Sequence, residues 1–222
     1  IYSLLLVLST AGLPLALSRL VSRAAAQGRL NAQRRIFRTA LALLAAIGLV
    51  CSALMCLFPQ TLSALLHDSL AAPAIRTLGP AVLFVCLTSA IRGYTQGLGD
   101  MTPTAVSQMT ESAGKLVIGL ALCLMLLHRG ADSSLCAAGA IAGVTAGSLL
   151  SLTVLTVFLL RRRDRAGAVD VPPVRSAVLR ELLTAGIPIT LGAAGMSLIT
   201  LLDQALVMST LQNTLGYTEA AA

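Results

Sequence analysis

The 222-residue chain has no tryptophan, four phenylalanines and three tyrosines, and only 11% of it is charged. A soluble domain carries roughly a quarter charged residues, so this composition argues against a surface built for water. The net charge of +7 is almost all arginine and would suggest a nucleic-acid partner in a soluble protein. The scarcity of aromatic residues argues against that partner. Several chemistries lack their motifs as well. There is no Gly-rich phosphate loop, which excludes the motor of an ATP-driven pump, and no serine elbow or HExxH. The acidic residues are scattered, with no clustered pair to hold a catalytic metal at a membrane face. That leaves a membrane-embedded glycosyl- or phosphotransferase as the weakest of the functional alternatives. The five cysteines (Cys51, Cys56, Cys86, Cys123 and Cys136) form no CxxC pair with accompanying histidines. They read as small packing residues rather than a zinc site, and no cofactor is expected.

What the chain has in abundance is apolar sequence: 56% of its residues, with a mean hydropathy of +0.86. The apolar residues come in blocks of about 20, the length that spans a bilayer core as a helix. Six such helices are expected, at about 1–22, 36–58, 74–98, 103–127, 135–160 and 179–211. The fold class is thus an all-α integral membrane bundle of about six transmembrane helices. The chain begins at Ile1 inside one apolar block and ends at Ala222 just past another, so both ends read as truncations. No basic n-region or small-residue cleavage site of a signal peptide precedes the first block.

The loops carry the orientation signal. The first holds Arg19, Arg23, Arg29, Arg34 and Arg35 with no acid. The fifth holds Arg161, Arg162, Arg163, Arg165 and Arg175 against Asp164 and Asp170. The excess of positive charge places both in the cytoplasm. Alternation adds the short loop at Gly99 and Asp100 to the same side, and puts the loops with His67, Asp68, His128, Arg129 and Asp132 outside. The parity agrees with six helices. Both histidines read as surface residues, since no partner for metal or catalysis accompanies them.

Glycines mark close packing. Gly139, Gly143, Gly147 and Ser151 recur every four residues, so they share one helix face and admit another backbone at short range. Gly12 with Pro14 and Gly186 with Pro188 mark bends in the first and sixth helices. The words TAGLPLAL at 10–17 and TAGIPITL at 184–191 share five identities. The topology runs those two helices in opposite directions, so a true repeat would have to be inverted. Recurrence by chance is the simpler reading of so short a match.

An ionisable residue at membrane depth is costly and faces a partner or a cavity. Glu111 and Lys115, four apart on the fourth helix with the acid first, can pair. They are either a self-neutralised pair inside the bundle or part of a hydrated cavity whose lysine meets an anionic substrate, and Gln108 lies one turn before them. Arg92, near the cytoplasmic end of the third helix beside Tyr94, is either a snorkelling anchor or a cavity arginine suited to phosphate. Asp203, beside Gln204 in the sixth helix, is a proton or cation site or a hydrogen-bonded packing residue.

Two stretches together carry a family resemblance. Ile1–Arg38 contains LSTAGLPLALSRLVSRAAAQGRLNAQRRIFR, and Ala90–Leu116 reads AIRGYTQGLGDMTPTAVSQMTESAGKL. They resemble the polysaccharide-transporter branch of the multidrug/oligosaccharidyl-lipid/polysaccharide exporter superfamily, nearest the stage V sporulation protein B group and the lipid II flippases. GIPITL and the later Asp203 fit the same pattern. The second and fifth helices match in character only.

The resemblance implies a two-lobed exporter of about fourteen helices in the bacterial cytoplasmic membrane. Residues 1–178 would belong to its N-terminal lobe without the first helix, and 179–222 to a truncated first helix of the C-terminal lobe. It also implies alternating access and a lipid-linked, pyrophosphate-bearing glycan or peptidoglycan precursor as cargo, with a proton or sodium ion as a possible coupling partner. A cationic cavity suits that cargo, which makes Lys115 and Arg92 the expected head-group contacts. The rival within the superfamily is a multidrug/cation antiporter using Glu111 and Asp203. The sign of the cavity's charge separates the two.

Overall fold

The computed structural model describes residues 12–60, 72–128, 133–161, 171 and 173–213. His67, Asp68, Arg129, Asp132 and Arg162–Asp170 lie outside them. Six helices are seen: α1 Gly12–Ala26, α2 Leu30–Leu57, α3 Ala72–Gly97, α4 Thr102–His128, α5 Ser133–Arg161 and α6 Arg175–Asn213. No strand occurs among the described residues, and the chain is an all-α, multi-pass membrane protein. Among the described residues four segments are long and apolar enough to cross a bilayer: Leu30–Leu57, Arg76–Gly97, Thr102–His128 and Gly139–Arg161.

Three helix boundaries differ from the sequence expectation: α1 runs on to Ala26, so Arg19 and Arg23 lie on it and not in the loop that follows, and two helices start earlier. α2 begins at Leu30, so Arg34 and Arg35 lie on the helix and not in the preceding loop. α6 likewise begins at Arg175. Hydropathy marks only the lipid-facing part of a helix, and arginine is a good helix former, so all three helices continue past their apolar stretch into the polar zone.

The turns between helices are short and built on glycine. Gly28 (φ 68°) closes α1, with Gly28 N–H donating to Ala25 O and Arg29 N–H to Ala24 O, both at 3.0 Å. Gly99 (φ 80°) closes α3 in the same way, through Gly99 N–H to Gln96 O and Asp100 N–H to Thr95 O, also at 3.0 Å. This is a Schellman ending, and its left-handed residue favours glycine. Asp100 then accepts from Thr102 N–H at 3.1 Å and starts α4.

Contacts fix the relative directions. A Cβ placed on Gly93 would meet Pro14 O at 2.7 Å, and one on Gly97 would meet Ser18 O at 2.7 Å, so α1 and α3 run parallel. Gly48 faces Cys86 and Gly79 faces Cys56 and Ser52, so α2 and α3 are antiparallel. α3 is central, touching α1, α2 and α5, while α4 packs mainly on α5. Pro80, inside α3, deprives the Arg76 carbonyl of its helical partner. The Cys56 thiol turns toward that oxygen at 3.9 Å.

The core near the basic helix ends joins Ala16, Leu17, Leu20 and Val21 of α1 to Ile36, Tyr94, Val178 and Leu182. Phe37 and Tyr94 stack there with ring centroids 4.5 Å apart.

The expected glycine face of α5 packs on α4. A Cβ on Gly143 would collide with the backbone of Gly119, and one on Gly147 would meet Glu111 O at 2.7 Å. A Cβ on Gly119 would meet Ala140 O at 2.8 Å. Such close approach of two backbones drives association where lipid removes the hydrophobic incentive.

The two similar words at 10–17 and 184–191 also meet. A Cβ on Gly12 would strike Thr190 Oγ1 and Gly186 O, and one on Gly186 would meet Leu13 Cδ2 at 2.9 Å. Farther along, Arg23 lies 3.6 Å from Glu181, so α1 and α6 are antiparallel, as the topology requires.

Candidate functional site

The short, glycine-closed α3–α4 turn reverses the chain, and α3 and α4, which touch each other little, both pack on α5, so residues at similar distances from the turn reach similar depth. Arg92 lies five residues before the end of α3, and Glu111 nine residues after the start of α4. At about 1.5 Å per residue these are roughly 8 Å and 14 Å from the helix ends, a difference that an arginine side chain spans.

Arg92 Nη2 donates to Glu111 Oε2 at 2.7 Å and to Ser151 Oγ of α5 at 2.9 Å. Its Nε donates to Ser107 Oγ at 3.0 Å. Lys115 Nζ donates to the other carboxylate oxygen, Glu111 Oε1, at 2.6 Å. Ser107 in turn donates to Thr104 O at 2.9 Å. Three helices thus meet on one guanidinium.

The burial is graded. The Glu111 and Arg92 side chains are 12% and 16% exposed, and that of Lys115 is 39% exposed. Both carboxylate oxygens are occupied by cations, and two cations face one anion. The cluster therefore carries a formal charge of +1, with its more open end at the ammonium. No buried side-chain nitrogen or oxygen among the described residues lacks a hydrogen-bond partner. Such satisfaction is what makes charges tolerable away from water.

The structure thus brings Arg92, Glu111 and Lys115 together. Arg92 is directed into the bundle and not toward the interface as an anchor. Gln108 does not join them, being exposed and without a hydrogen bond to the cluster. Asp203 is on α6, but its side chain lies outside the described ones. Sequence reasoning missed the Arg92–Glu111 pair and the two serines. Their signal was present in the equal depth of two charges flanking a short turn. Ser151, read only as the end of a small-residue stripe, also accepts from Arg92 at the site, one turn after Gly147 opposite Glu111.

Residues 1–221 match the family model described as polysaccharide biosynthesis protein. The chain belongs to that family. It is 31% identical over 147 residues to the stage V sporulation protein B of Bacillus subtilis (strain 168), covering 66% of this chain and 28% of that protein. It is 30% identical over 159 residues to the uncharacterized membrane protein YabM of the same organism, covering 71% and 29%. It is 25% identical over 172 residues to the lipid II flippase MurJ of that organism, covering 73% and 32%. The chain thus spans less than a third of the length of each of these relatives. No solved structure matches it.

Proposed function

We propose that this chain is part of a flippase that moves a lipid-linked oligosaccharide or peptidoglycan precursor across the cytoplasmic membrane by alternating access. In this reading residues 1–178 belong to one lobe and 179–222 open the second. The observation that carries it is the Arg92–Glu111–Lys115 cluster, a cationic group with one carboxylate held between two cations. An incoming phosphate or pyrophosphate would compete with Glu111 for Lys115 at the open end, while Arg92 stays fixed by Ser107 and Ser151. Guanidinium and ammonium groups both bind phosphate well. Glu111 then acts as the resting counter-ion, which keeps the cations tolerable when no cargo is bound. Membership of a polysaccharide biosynthesis family and similarity to a protein named a lipid II flippase support the cargo class. The role is that of a transporter and not an enzyme.

A second reading takes Glu111 as the coupling site of a multidrug/cation antiporter, with a proton or sodium ion displacing the two side-chain cations. The excess of positive charge around the carboxylate favours the first reading. The test is growth rescue by the full-length protein in a host depleted of its own lipid II flippase. Rescue by the wild type, lost in a normally expressed K115A variant, is expected. Failure of a well-expressed wild type would reject the peptidoglycan precursor and direct attention to other lipid-linked glycans. Transport of a cationic drug that depends on Glu111 would favour the antiporter.

A further inference from the structure

Two polar residues stand on the outer flank of α4, beside the cluster. Between Ala105 and Ala121 the exposed positions of this helix are all apolar except Gln108 and Ser112. These two precede Lys115 by seven and three residues, so all three share one face. They lie about 9 Å and 15 Å along α4 from its start at Thr102, within a segment long and apolar enough to cross the bilayer.

Other outer hydroxyls at this depth behave differently. Thr110 donates to Val106 O, Thr153 to Leu149 O and Thr156 to Leu152 O, each at 2.8 Å. A hydroxyl that bonds its own helix can face hydrocarbon. Gln108 and Ser112 make no such bond among the described residues. An amide and a hydroxyl left open at this depth are costly in lipid, so this strip of α4 belongs against water and not against acyl chains. It runs into the Lys115 side chain, which is 39% exposed and forms the open end of the cationic cluster.

We propose that Gln108 and Ser112 recognise the glycan of the cargo, hydrogen-bonding its hydroxyl groups while its phosphate is held at Lys115, an inference that rests on the flippase reading. Three features select a sugar. The strip is uncharged, unlike the phosphate site beside it. Glutamine offers two N–H donors and a carbonyl acceptor, and serine a donor and an acceptor, a mixed set that matches hydroxyl groups. Finally, Ser112 and Gln108 lie about 5 Å and 10 Å along the helix from Lys115. In a lipid-linked glycan the first sugar is bonded to the phosphate, so sugar hydroxyls fall within that reach.

The test uses the full-length transporter with its native cysteines replaced. In permeabilised membranes a charged methanethiosulfonate should label Q108C and S112C and leave M109C and L116C, on the adjoining apolar flank, unlabelled. Unlabelled Q108C and S112C would overturn the proposal, because protein would then cover the strip. Binding of a polyprenyl pyrophosphate with and without an attached disaccharide reads recognition. The wild type is expected to bind the glycosylated form roughly tenfold more tightly, the scale of two neutral hydrogen bonds. Q108L/S112A should abolish that preference, whereas K115A should weaken both forms alike. Equal affinity of the wild type for the two forms, or a double variant that keeps the preference, would overturn the proposal and leave the flippase reading intact. A wild type that binds neither form would remove the flippase reading, and the role of the strip with it.

Discussion

Arg92 Nη2 and Glu111 Oε2 lie 2.7 Å apart between α3 and α4, and Lys115 holds the other oxygen of the same carboxylate at 2.6 Å. One carboxylate thus joins a guanidinium from one helix to an ammonium from its own. This arrangement explains how three ionisable residues persist in an otherwise apolar bundle, and it makes their mutation effects interdependent.

Breaking the pair from one side leaves an uncompensated buried charge. E111A strands Arg92 and is expected to destabilise the full-length protein by about 3–5 kcal/mol, whereas R92A leaves Glu111 still paired with Lys115 and should cost less. Removing both together should cost clearly less than the sum, because no buried guanidinium is then left without Glu111 and only the more exposed Lys115 loses its partner. Unfolding in detergent, followed for the two single variants and the double, checks this. Additive losses would mean that the two side chains do not interact.

The glycine face of α5 makes a second, independent prediction. In G147A the new methyl would meet Glu111 O at 2.7 Å and Lys115 Cγ at 2.9 Å. Forcing α4 and α5 apart should cost about 1–3 kcal/mol and loosen the site's geometry as well. Gly192 is the control. No described residue lies within 4 Å of a Cβ built there, so G192A should be neutral or stabilise the helix by up to about 1 kcal/mol. Thermal melting of the two variants side by side distinguishes packing from propensity.

The turn that sets Arg92 against Glu111 depends on Gly99 at φ 80°. G99A is expected to cost about 1 kcal/mol, since an alanine strains in the left-handed region. G99N should cost less, asparagine being the next most tolerant residue there. Melting midpoints of the two variants check the order.

The contact between α1 and α6 can be trapped covalently. With the native cysteines replaced, G12C/G186C should cross-link readily under mild oxidation, because a Cβ on Gly12 already meets the backbone of Gly186. R23C/G186C should not, because Arg23 faces Glu181 one to two turns farther along the antiparallel pair. Gel mobility after oxidation reads both.

Much of the fold was legible in the sequence because a bilayer imposes length and apolarity together. Apolar blocks placed the helices to within a few residues at most ends, and arginine-rich loops fixed a parity that the antiparallel contacts respect. The two earlier starts, at Leu30 and Arg175, escaped because a helix entering water no longer needs apolar side chains. The stripe from Gly139 to Ser151 announced a tight partner, but spacing within one helix could not say that Gly114 and Gly119 of α4 supply it. The site was half legible for the same reason. Glu111 and Lys115 are four apart on one helix, a relation that periodicity reveals. Arg92 lies on another helix, and its choice between interface and bundle depended on which neighbour it could reach. Only the packed helices show Ser107, Glu111 and Ser151 all within range.

The central claim is that the open, cationic end of this cluster handles an anionic head group, and flipping of a lipid-linked glycan precursor in proteoliposomes tests it most directly. Full-length K115A should flip the precursor at least about tenfold more slowly than the wild type, the scale of one lost charge-assisted contact. K115R, which keeps the charge, should retain most of the rate. A K115A variant that is well folded and flips the precursor at the wild-type rate would contradict the account.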